Sequence, residues 1–486
     1  MGTTFDAYLG RRENVALLTE GTANPLATGL AVAASDLAAI ALSGWLSAEC
    51  WSRLNRAVDA ASYLELWPAL AVFVAAYAML GLYPGVGLSP VEELRRAVLG
   101  TTIVYLVGSA CIVLLRETGF SRGVLLAGWA CSVILVPLLR SALRSCCASR
   151  RWWGVPVLVL GAGQAGRRVV SSLRAQPDLG LKPVVFLEDE EGTEEEYSGI
   201  PVAGPLSIAV DLGRQLKIHH ALVAMPNLKR EELLSLLERM GTAFSHVIVI
   251  PDLFGMSSLW VSTRDLGGEL GLEVRQNLLI PLNRWLKRAL DLLIAFLAIL
   301  VTWPLVALAA LWIKLTDPGP AFFLQDRGGE GGRSIRVWKL RTMYTNADEL
   351  LERHLASHPE ARREWQRYFK LKADPRLLPV IGNLLRRTSL DEVPQLWNVM
   401  LGEMSLVGPR PFPGYHLERF DADFRKLRAR VLPGLTGLWQ VSARSDGDLR
   451  VQQALDTYYI RNWSLWLDLH ILARTIRAVL FAKGAY

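Results

Sequence analysis

The chain has 486 residues and a formal net charge of +7 at pH 7; 51% of its residues are hydrophobic and 20% are charged. Its 16 Trp, 14 Phe and 12 Tyr exclude an intrinsically disordered protein, and its 5 Cys are too few for a disulfide framework. The positive charge would suit nucleic acid, anionic lipid or phosphorylated substrates equally well. The mean hydropathy of +0.25 and the apolar segments favour a membrane protein with no nucleic-acid partner.

Four apolar stretches occupy the first 140 residues. They run from about residue 26 to 46, 68 to 83, 98 to 115 and 123 to 139. Each approaches the ~20 residues with which a helix crosses ~30 Å of hydrocarbon, although the second and fourth are short. The first contains Asp36, which we interpret as a polar group facing the interior of a helix bundle. We therefore predict a four-helix transmembrane bundle over residues 1–150.

Basic residues are unevenly divided among the segments that flank and join these stretches. Eight Arg lie in the first, third and fifth segments, and four lie in the second and fourth. Because cytoplasmic segments carry an excess of Lys and Arg, this asymmetry predicts that both ends of the bundle lie in the cytoplasm.

Residues 151–280 alternate between strand-like and helix-like patterns, which predicts an α/β Rossmann-like domain with a linker. Val155–Leu160 has the pattern of a buried strand, and Gly161, Gly163 and Gly166 follow it at once. Glu188 comes 27 residues after Gly161, in the range where a dinucleotide-binding unit has its ribose-binding acid. Further strands are predicted at Val184–Leu187, Ala221–Met225 and His246–Ile250, and helices at Arg167–Ala175 and Arg230–Met240.

This glycine pattern permits a tight turn and the close approach of a phosphate to a helix N-terminus. A single fingerprint is weak evidence, so nucleotide binding by Gly161, Gly163, Gly166 and Glu188 and a purely structural turn both stay open. The Tyr-x-x-x-Lys pair of short-chain oxidoreductases does not occur in this segment, which argues against redox catalysis.

A fifth apolar run, Leu292–Trp312, follows a Gly- and Leu-rich linker at about 255–280. The run has 21 residues and no charge, and Pro304 near its middle would break or kink a helix. Lys287 and Arg288 precede the run and Lys314 follows it. Cations at both ends suit a helix-break-helix that re-enters the leaflet from which it came, with the break at Pro304. A kinked spanning helix is the alternative.

The polar, basic region after residue 315 contains an adjacent pair of carboxylates, Asp391 and Glu392. Pro394 follows, and proline is tolerated in the first turn of a helix, so both carboxylates are predicted at a helix N-terminus. The spacing from Ser389 to Glu392 is also that of a capping box, which is the structural alternative.

Four arginines flank this pair in the sequence. Basic residues around carboxylates at a helix N-terminus describe a site for a phosphorylated anion. A carboxylate there can act as a nucleophile on phosphorus, and its neighbour can hold Mg²⁺ through oxygen. A salt-bridge network that only orders the domain is the alternative. The four arginines are Arg376, Arg386, Arg387 and Arg410.

Ordered motifs over about 200 residues resemble those of the monotopic bacterial sugar transferases, the polyprenyl-phosphate hexose-1-phosphate transferases. The preceding bundle and glycine-fingerprint domain resemble the long, galactose-type members. The motifs are Lys287-Arg288-x-x-Asp291, Gly319-Pro320 with Gln325-x-Arg327, Lys339-Leu-Arg341, Ser389-Leu-Asp-Glu-Val-Pro-Gln395, Gly408-Pro-Arg-Pro411 and Pro433-Gly-Leu-Thr-Gly437.

The resemblance implies an α-rich monotopic catalytic domain with a re-entrant membrane helix over residues 281–486. It implies that Asp391 is the nucleophile, that Glu392 binds Mg²⁺ and that the protein is a homodimer. Six residues would contact or lie near the phosphates and the nucleotide: Lys339, Arg341, Arg386, Gln395, Arg410 and Asp456.

The expected activity is transfer of hexose-1-phosphate, with galactose as the expected hexose, from UDP-hexose to undecaprenyl phosphate with release of UMP. It would start an O-antigen, capsule or exopolysaccharide. The catalytic domain would lie on the cytoplasmic face of the bacterial inner membrane, in contact with membrane lipid. Three alternatives stay open: the same reaction with glucose, an NAD-dependent nucleotide-sugar dehydratase that would need the missing Tyr-x-x-x-Lys pair, and a non-catalytic nucleotide-sensing or export scaffold.

Overall fold

A computed structural model describes residues 23–55, 59–115, 120–189, 196–250, 261–265, 270–274, 277–368, 371, 374–442 and 449–480. The chain forms two compact units, Met1–Gly255 and Met256–Tyr486. The predicted bundle and the predicted α/β domain share the first unit, and the residues of the predicted catalytic domain lie in the second.

The apolar stretches of the first unit form four helices. Helices α1, α3 and α4 are long and apolar enough to cross a membrane, whereas α2 has 11 residues. At 1.5 Å per residue α2 is about 16 Å long, and a 3-10 turn, Ala61–Leu66, precedes it. Four membrane-crossing helices over residues 1–150 stay a prediction. The helices are α1 (Pro25–Leu54), α2 (Ala69–Met79), α3 (Pro90–Leu114) and α4 (Arg122–Cys147).

Local sequence explains where two of these helices begin. The Asn24 side chain accepts a hydrogen bond from the Ala27 N–H at 3.1 Å, and the Ser89 hydroxyl accepts one from the Glu92 N–H at 3.3 Å. A proline follows each cap at the first helical position, where no N–H is needed.

A buried ionic network lies inside the bundle. The Arg140 guanidinium donates to both Asp36 carboxylate oxygens, at 2.7 and 2.6 Å, and to Glu93 at 2.9 Å. Arg144 donates to the same Glu93 oxygen at 2.9 Å. Asp36 therefore faces the interior, as predicted. Arg140 and Arg144 belong to α4, where acidic side chains neutralise them. Neither is therefore a free cation of a loop, although both are among the eight Arg whose positions predicted the orientation of the bundle.

The α/β domain has a four-stranded parallel sheet in the order β2-β1-β5-β6. Side chains of β1 alternate between two cores: Val157 and Val159 pack on one face, and Leu158 and Leu160 on the other. The predicted parallel sheet is thereby confirmed. The elements are β1 (Val155–Leu160), α5 (Gln164–Ala175), β2 (Leu181–Leu187), β3 (Glu196–Tyr197), β4 (Ile200–Pro201), α6 (Ala209–Gln215), β5 (His220–Val223), α7 (Arg230–Met240) and β6 (His246–Val249).

The predicted linker contains two strands that pair as an antiparallel hairpin. Its strands are β7 (Val261–Asp265) and β8 (Leu270–Val274), and Val261 pairs with Val274. A short helical turn, Asn277–Leu279, leads from the hairpin into the next helix.

The fifth apolar run forms the long helix α8 (Pro281–Thr316), which continues through Pro304 without interruption. The structure therefore has one helix across Pro304 where two were predicted, and the re-entrant path of this helix stays a prediction. A proline removes one backbone hydrogen bond, and the turns on either side of it keep the helix intact. Side chains in the middle of α8 are apolar and exposed, among them Phe296, Val301 and Trp303, as expected for a helix surrounded by lipid.

Both ends of α8 contact the same unit. Near its start, Lys287 donates to Asp468 at 2.7 Å, and Arg284 lies 3.4 Å from Glu330, a residue that follows the helix in sequence. Near its end, Val306, Ala309 and Ile313 pack in a core that holds Leu340, Leu378, Ile381 and Leu385.

Two short sheets and a series of helices complete the second unit. Strands β9 and β10 form an antiparallel hairpin, and β11 pairs in parallel with β12. The elements are β9 (Phe322–Gly328), β10 (Ser334–Leu340), α9 (Ala347–Ser357), α10 (Pro359–Tyr368), α11 (Ile381–Thr388), α12 (Gln395–Leu401), β11 (Ser405–Val407), α13 (Gly414–Leu417), α14 (Ala422–Arg428), β12 (Gly434–Thr436), α15 (Leu438–Ser442), α16 (Leu449–Asn462) and α17 (Leu465–Leu480).

Candidate active site

The two adjacent carboxylates lie in a sharp turn between α11 and α12. Ser389 ends α11 in the left-handed conformation, with φ 56° and ψ 20°, and a single 3-10 turn, Leu390–Glu392, follows. Pro394 then precedes the first residue of α12. A non-glycine residue in this conformation is uncommon and often marks a functional site. The turn brings Asp391 and Glu392 to the start of α12, close to the predicted helix N-terminus.

Glu392 is the centre of an ionic cluster. Its Oε1 atom accepts hydrogen bonds from Lys339 Nζ at 2.7 Å and from Arg410 Nη2 at 2.6 Å. Burial, which raises the pKa of a carboxyl group, is outweighed by Arg410 and Lys339, and the pKa of Glu392 falls to about 2. The turn has no side-chain cap hydrogen bond from Ser389, so the capping-box alternative is not what the structure shows.

Three separate elements supply this cluster. Lys339 comes from β10, Glu392 from the turn before α12, and Arg410 from the loop after β11. The last residues of β10 lie beside the turn between α11 and α12. Long-range pairing thus brings together residues that are 53 and 18 positions apart.

Asp391 has the opposite pKa shift. Burial and the neighbouring charge of Glu392 raise the pKa of Asp391 to about 6, against the opposing effect of Lys339 and Arg386. The carboxyl group is therefore ionised at neutral pH, and its negative charge is poorly solvated. A half-buried, ionised carboxylate beside cations is suited to attack an electrophilic phosphorus.

Arg386 lies beside this pair through its place at the end of α11. Its Nε atom donates to the Thr342 hydroxyl at 3.2 Å, and the charges of Asp374 and Asp391 act on it. Arg376, the first of the four flanking arginines, is instead paired with Asp374 at 2.7 Å.

The other predicted contact residues lie around the cluster without joining it. Arg341 is buried and donates to Asp317, at the end of α8, at 2.8 Å. Gln395 is buried at the first residue of α12. Asp456 is buried on α16, with its Oδ2 atom 3.3 Å from Arg428 Nη1. Substrate contacts by these three residues stay predictions.

Two residues at the site escaped the sequence analysis. Thr342 positions Arg386, and Arg428 contacts the loop of Arg410. Thr342 follows the Lys339/Arg341 cluster directly, which was a usable signal. Arg428 stands among several basic residues of α14, and nothing in the local pattern distinguishes it.

The glycine fingerprint forms the expected tight turn after β1. Gly161 has φ 104°, and a Cβ atom on Gly166 would lie 2.0 Å from the Gly161 carbonyl oxygen, so neither position accepts a side chain. Gly163 precedes α5. Glu188 Oε2 accepts a hydrogen bond from the Ala162 N–H at 2.8 Å, so the acid binds the glycine turn itself.

The carboxylate pair is compatible with the expected Mg²⁺. Among the described residues, no group of three or more His, Cys, Asp or Glu side chains could hold a metal ion. Mg²⁺ is commonly held by one or two carboxylates together with substrate phosphates and water, and Asp391 and Glu392 supply two. The donor set therefore fits a Mg²⁺ that binds with a diphosphate rather than a metal held by protein alone.

Comparison with known proteins supports the assignment of both units. Residues 282–482 match the family described as bacterial sugar transferase, and residues 78–251 match the family described as CoA-binding domain. The undecaprenyl-phosphate galactose phosphotransferase of Salmonella typhimurium is 34% identical over 79% of this chain and 81% of its own length.

Two further relatives differ in substrate name and in length. The UDP-glucose:undecaprenyl-phosphate glucose-1-phosphate transferase of Escherichia coli is 33% identical over 68% of both chains. The exopolysaccharide production protein ExoY of Sinorhizobium fredii is 45% identical over 42% of this chain and 90% of its own length. Similarity over four fifths of the chain, with the carboxylate turn and its cationic partners inside the matched region, leads to one conclusion: the chain belongs to the bacterial sugar transferase family.

Proposed function

We propose that the protein transfers hexose-1-phosphate from a UDP-hexose to undecaprenyl phosphate through a covalent intermediate on Asp391. The observation that carries this proposal is the carboxylate turn: an ionised Asp391 beside Glu392, which is held by Lys339 and Arg410. The family membership supplies the class of reaction.

The first step is an attack by an Asp391 carboxylate oxygen on the β-phosphorus of the donor. A bond forms between Asp391 and that phosphorus, and the bond from the phosphorus to the oxygen that bridges the two phosphates breaks. UMP leaves with the bridging oxygen. Lys339, Arg386 and Arg410 stabilise the charge that moves onto the leaving phosphate, since fixed cations in a partly buried site are strongly effective there.

The second step regenerates the enzyme. A phosphate oxygen of undecaprenyl phosphate attacks the phosphorus of the sugar phosphate on Asp391, and the carboxylate leaves. The products are undecaprenyl diphosphate hexose and a free Asp391. Two steps avoid bringing two anionic substrates into the site together.

Glu392 is the residue that would hold Mg²⁺ together with the donor diphosphate. The metal ion would neutralise the charge of the donor diphosphate and of the leaving UMP. Glu392 also orients Lys339 and Arg410, whose positive ends meet at one carboxylate oxygen.

The arrangement of α8 supports a re-entrant helix with the catalytic unit on the cytoplasmic face. Arg284 before the apolar run and Glu330 after it are 3.4 Å apart, Lys287 near the start of α8 pairs with Asp468, and the end of α8 packs in a core of the same unit. A straight span would separate such residues by ~30 Å of hydrocarbon. Nucleotide sugars are cytosolic, which fixes the face in this proposal as the cytoplasmic face of the bacterial inner membrane.

Galactose is the hexose that we propose. The relative named as a galactose phosphotransferase matches 79% of the chain, against 68% for the relative named as a glucose-1-phosphate transferase. Glucose is the alternative. We also propose that the product starts an O-antigen, capsule or exopolysaccharide and that the protein acts as a homodimer.

The test measures UMP release from UDP-galactose and UDP-glucose by the full chain in lipid nanodiscs, with Mg²⁺ and undecaprenyl phosphate. We expect UMP release that depends on the lipid, is faster with UDP-galactose, and is abolished in Asp391→Asn. A mass increase of one hexose phosphate on the protein, trapped before the lipid is added, would identify the intermediate.

Asp326→Asn is the matched control, because Asp326 is an exposed carboxylate on β9 outside the site. It should release UMP at the wild-type rate. UMP release by Asp391→Asn at the rate of Asp326→Asn would refute a covalent role for Asp391. No UMP release from any UDP-hexose by wild type would favour the scaffold alternative.

A further inference from the structure

The loop that carries Arg410 has no regular secondary structure and is rich in proline. Residues 408–413 belong to neither a helix nor a strand, and Pro409, Pro411 and Pro413 alternate with the other residues. Each proline lacks the backbone N–H that a turn or strand would use. The main chain of the loop therefore depends on groups outside it for most of its hydrogen bonds.

Donors from other elements take the successive carbonyl groups of this loop. The Gly434 N–H donates to the Pro409 oxygen at 2.9 Å, and the Gly328 N–H donates to the Phe412 oxygen at 2.9 Å. Between them, Arg428 Nη2 donates to the carbonyl oxygen of Arg410 itself. Arg327 Nη1 donates to the neighbouring Pro411 oxygen at 3.5 Å. The main chain at Arg410 and Pro411 is thus held by side chains, whereas the contacts at Pro409 and Phe412 come from the backbone.

Arg428 is itself fixed in place. It is 8% exposed, its guanidinium lies 4.8 Å from the centre of the Phe412 ring, and the rings of Phe420 and Phe424 lie within 6 Å. Its other terminal nitrogen, Nη1, lies 3.3 Å from the carboxylate of Asp456. A planar guanidinium can contact two partners at once through different nitrogens, whereas a lysine has a single ammonium group.

We propose that Arg428, anchored by Asp456, is a positioning residue that fixes the main chain at Arg410 and so aims the Arg410 guanidinium at Glu392 and the donor phosphate. This inference rests on the proposed function. It gives Asp456 a different part from the substrate contact expected from the sequence: Asp456 is 3% exposed and acts from behind the loop.

The test is a double-mutant cycle on UDP binding by the full chain in nanodiscs, measured by calorimetry with Mg²⁺. Arg428→Lys keeps the charge and loses one of the two contacts. We expect it to weaken UDP binding by about 10-fold in the wild-type background and hardly at all in an Arg410→Lys background. Non-additivity is the signature of two residues that act through each other.

A second cycle separates positioning from a general effect on folding. Arg428→Lys and Arg386→Lys should be additive, because Arg386 is held by Thr342 on a different element. Asp456→Asn should reproduce the Arg428→Lys cycle. Arg425→Lys, an exposed residue of the same helix, should leave UDP binding unchanged.

Additive effects of Arg428→Lys with both Arg410→Lys and Arg386→Lys would overturn the inference, because a merely structural role weakens every contact alike. A failure of this inference can be distinguished from a failure of the proposed function. Coupling between residues 428 and 410 in a chain that binds UDP but releases no UMP would support the inference and refute the transfer reaction.

Discussion

At the scale of single residues, the site depends on two neighbouring carboxylates with different surroundings. Burial and the charge of Glu392 raise the pKa of Asp391 to about 6. Arg410 and Lys339 lower the pKa of Glu392 to about 2. Adjacent positions in sequence thus acquire different roles. Glu392 stays ionised and binds two cations, and Asp391 has the poorly solvated charge that the proposed nucleophile requires.

The first prediction concerns the pH dependence of transfer. Asp391 must be ionised to attack phosphorus, and protonation below its pKa of about 6 removes that charge. The value of kcat/KM should therefore fall about tenfold per pH unit below pH 6 and level off above pH 7. A pH profile of UMP release at saturating undecaprenyl phosphate checks this. A profile flat from pH 5 to 8 would contradict it.

The second prediction concerns Glu392→Gln. Removing this charge should lower kcat/KM by about 100-fold, because Lys339 and Arg410 lose their common acceptor. The acid limb of the remaining activity should also move below pH 6, since the charge of Glu392 raises the pKa of Asp391. The control is Glu418→Gln at an exposed position of the same unit. A limb that moved upward would contradict the assigned electrostatics.

At the scale of elements, α8 is one helix whose two ends contact the same unit. In its first half, Arg288 donates to the carbonyl oxygens of Val399 and Met400 in α12, at 2.6 and 3.0 Å. Asp291 accepts a hydrogen bond from the Ser405 hydroxyl at 2.7 Å. Its last turn is tied to β10 through Asp317 and Arg341. A helix that is long and apolar enough to cross a membrane is therefore packed against α12, the helix that follows the carboxylate turn.

The third prediction is a topology experiment on α8. Arg284→Cys and Arg333→Cys, one on each side of the apolar run, should both react with an impermeant maleimide from the cytoplasmic face. The background is a chain in which the five native cysteines are replaced. Losing the exposed Arg284–Glu330 pair should cost about 1 kcal/mol or less. Labelling of the two positions from opposite faces would establish a spanning helix and refute the re-entrant proposal.

At the scale of the whole molecule, the chain has two units, and the candidate site lies in one of them. All members of the carboxylate cluster belong to the second unit, and the relative from Sinorhizobium fredii spans 42% of this chain but 90% of its own length. The first unit is held together across its own parts: Arg144 of α4 donates to the Asp178 carbonyl oxygen in the α/β domain at 2.5 Å. The bundle and the α/β domain therefore form one structural body.

The fourth prediction is that residues 256–486 alone carry out the transfer. A chain that begins at residue 256 should insert into nanodiscs and release UMP with a kcat/KM within about tenfold of the full chain, because every residue assigned to the reaction lies within it. The full chain with Asp391→Asn is the inactive reference. A folded fragment with less than one hundredth of the activity would show that the first unit takes part.

The sequence by itself determined the features that depend on local composition. The apolar stretches, the alternation in β1, the glycine turn at Gly161 and the carboxylate pair at Asp391 could all be recognised, because hydrophobic periodicity and special backbone positions are properties of neighbouring residues.

Only the tertiary structure decided which charges meet. Arg341 binds Asp317, a partner that the sequence did not indicate, and Arg140, which was counted as a loop cation, binds Asp36, 104 positions away. Arg428 carried no local signal, although the loop of Arg410 depends on it. A buried charge is stable only beside a partner, and the partner's place is set by packing over long distances in sequence, which no local pattern contains.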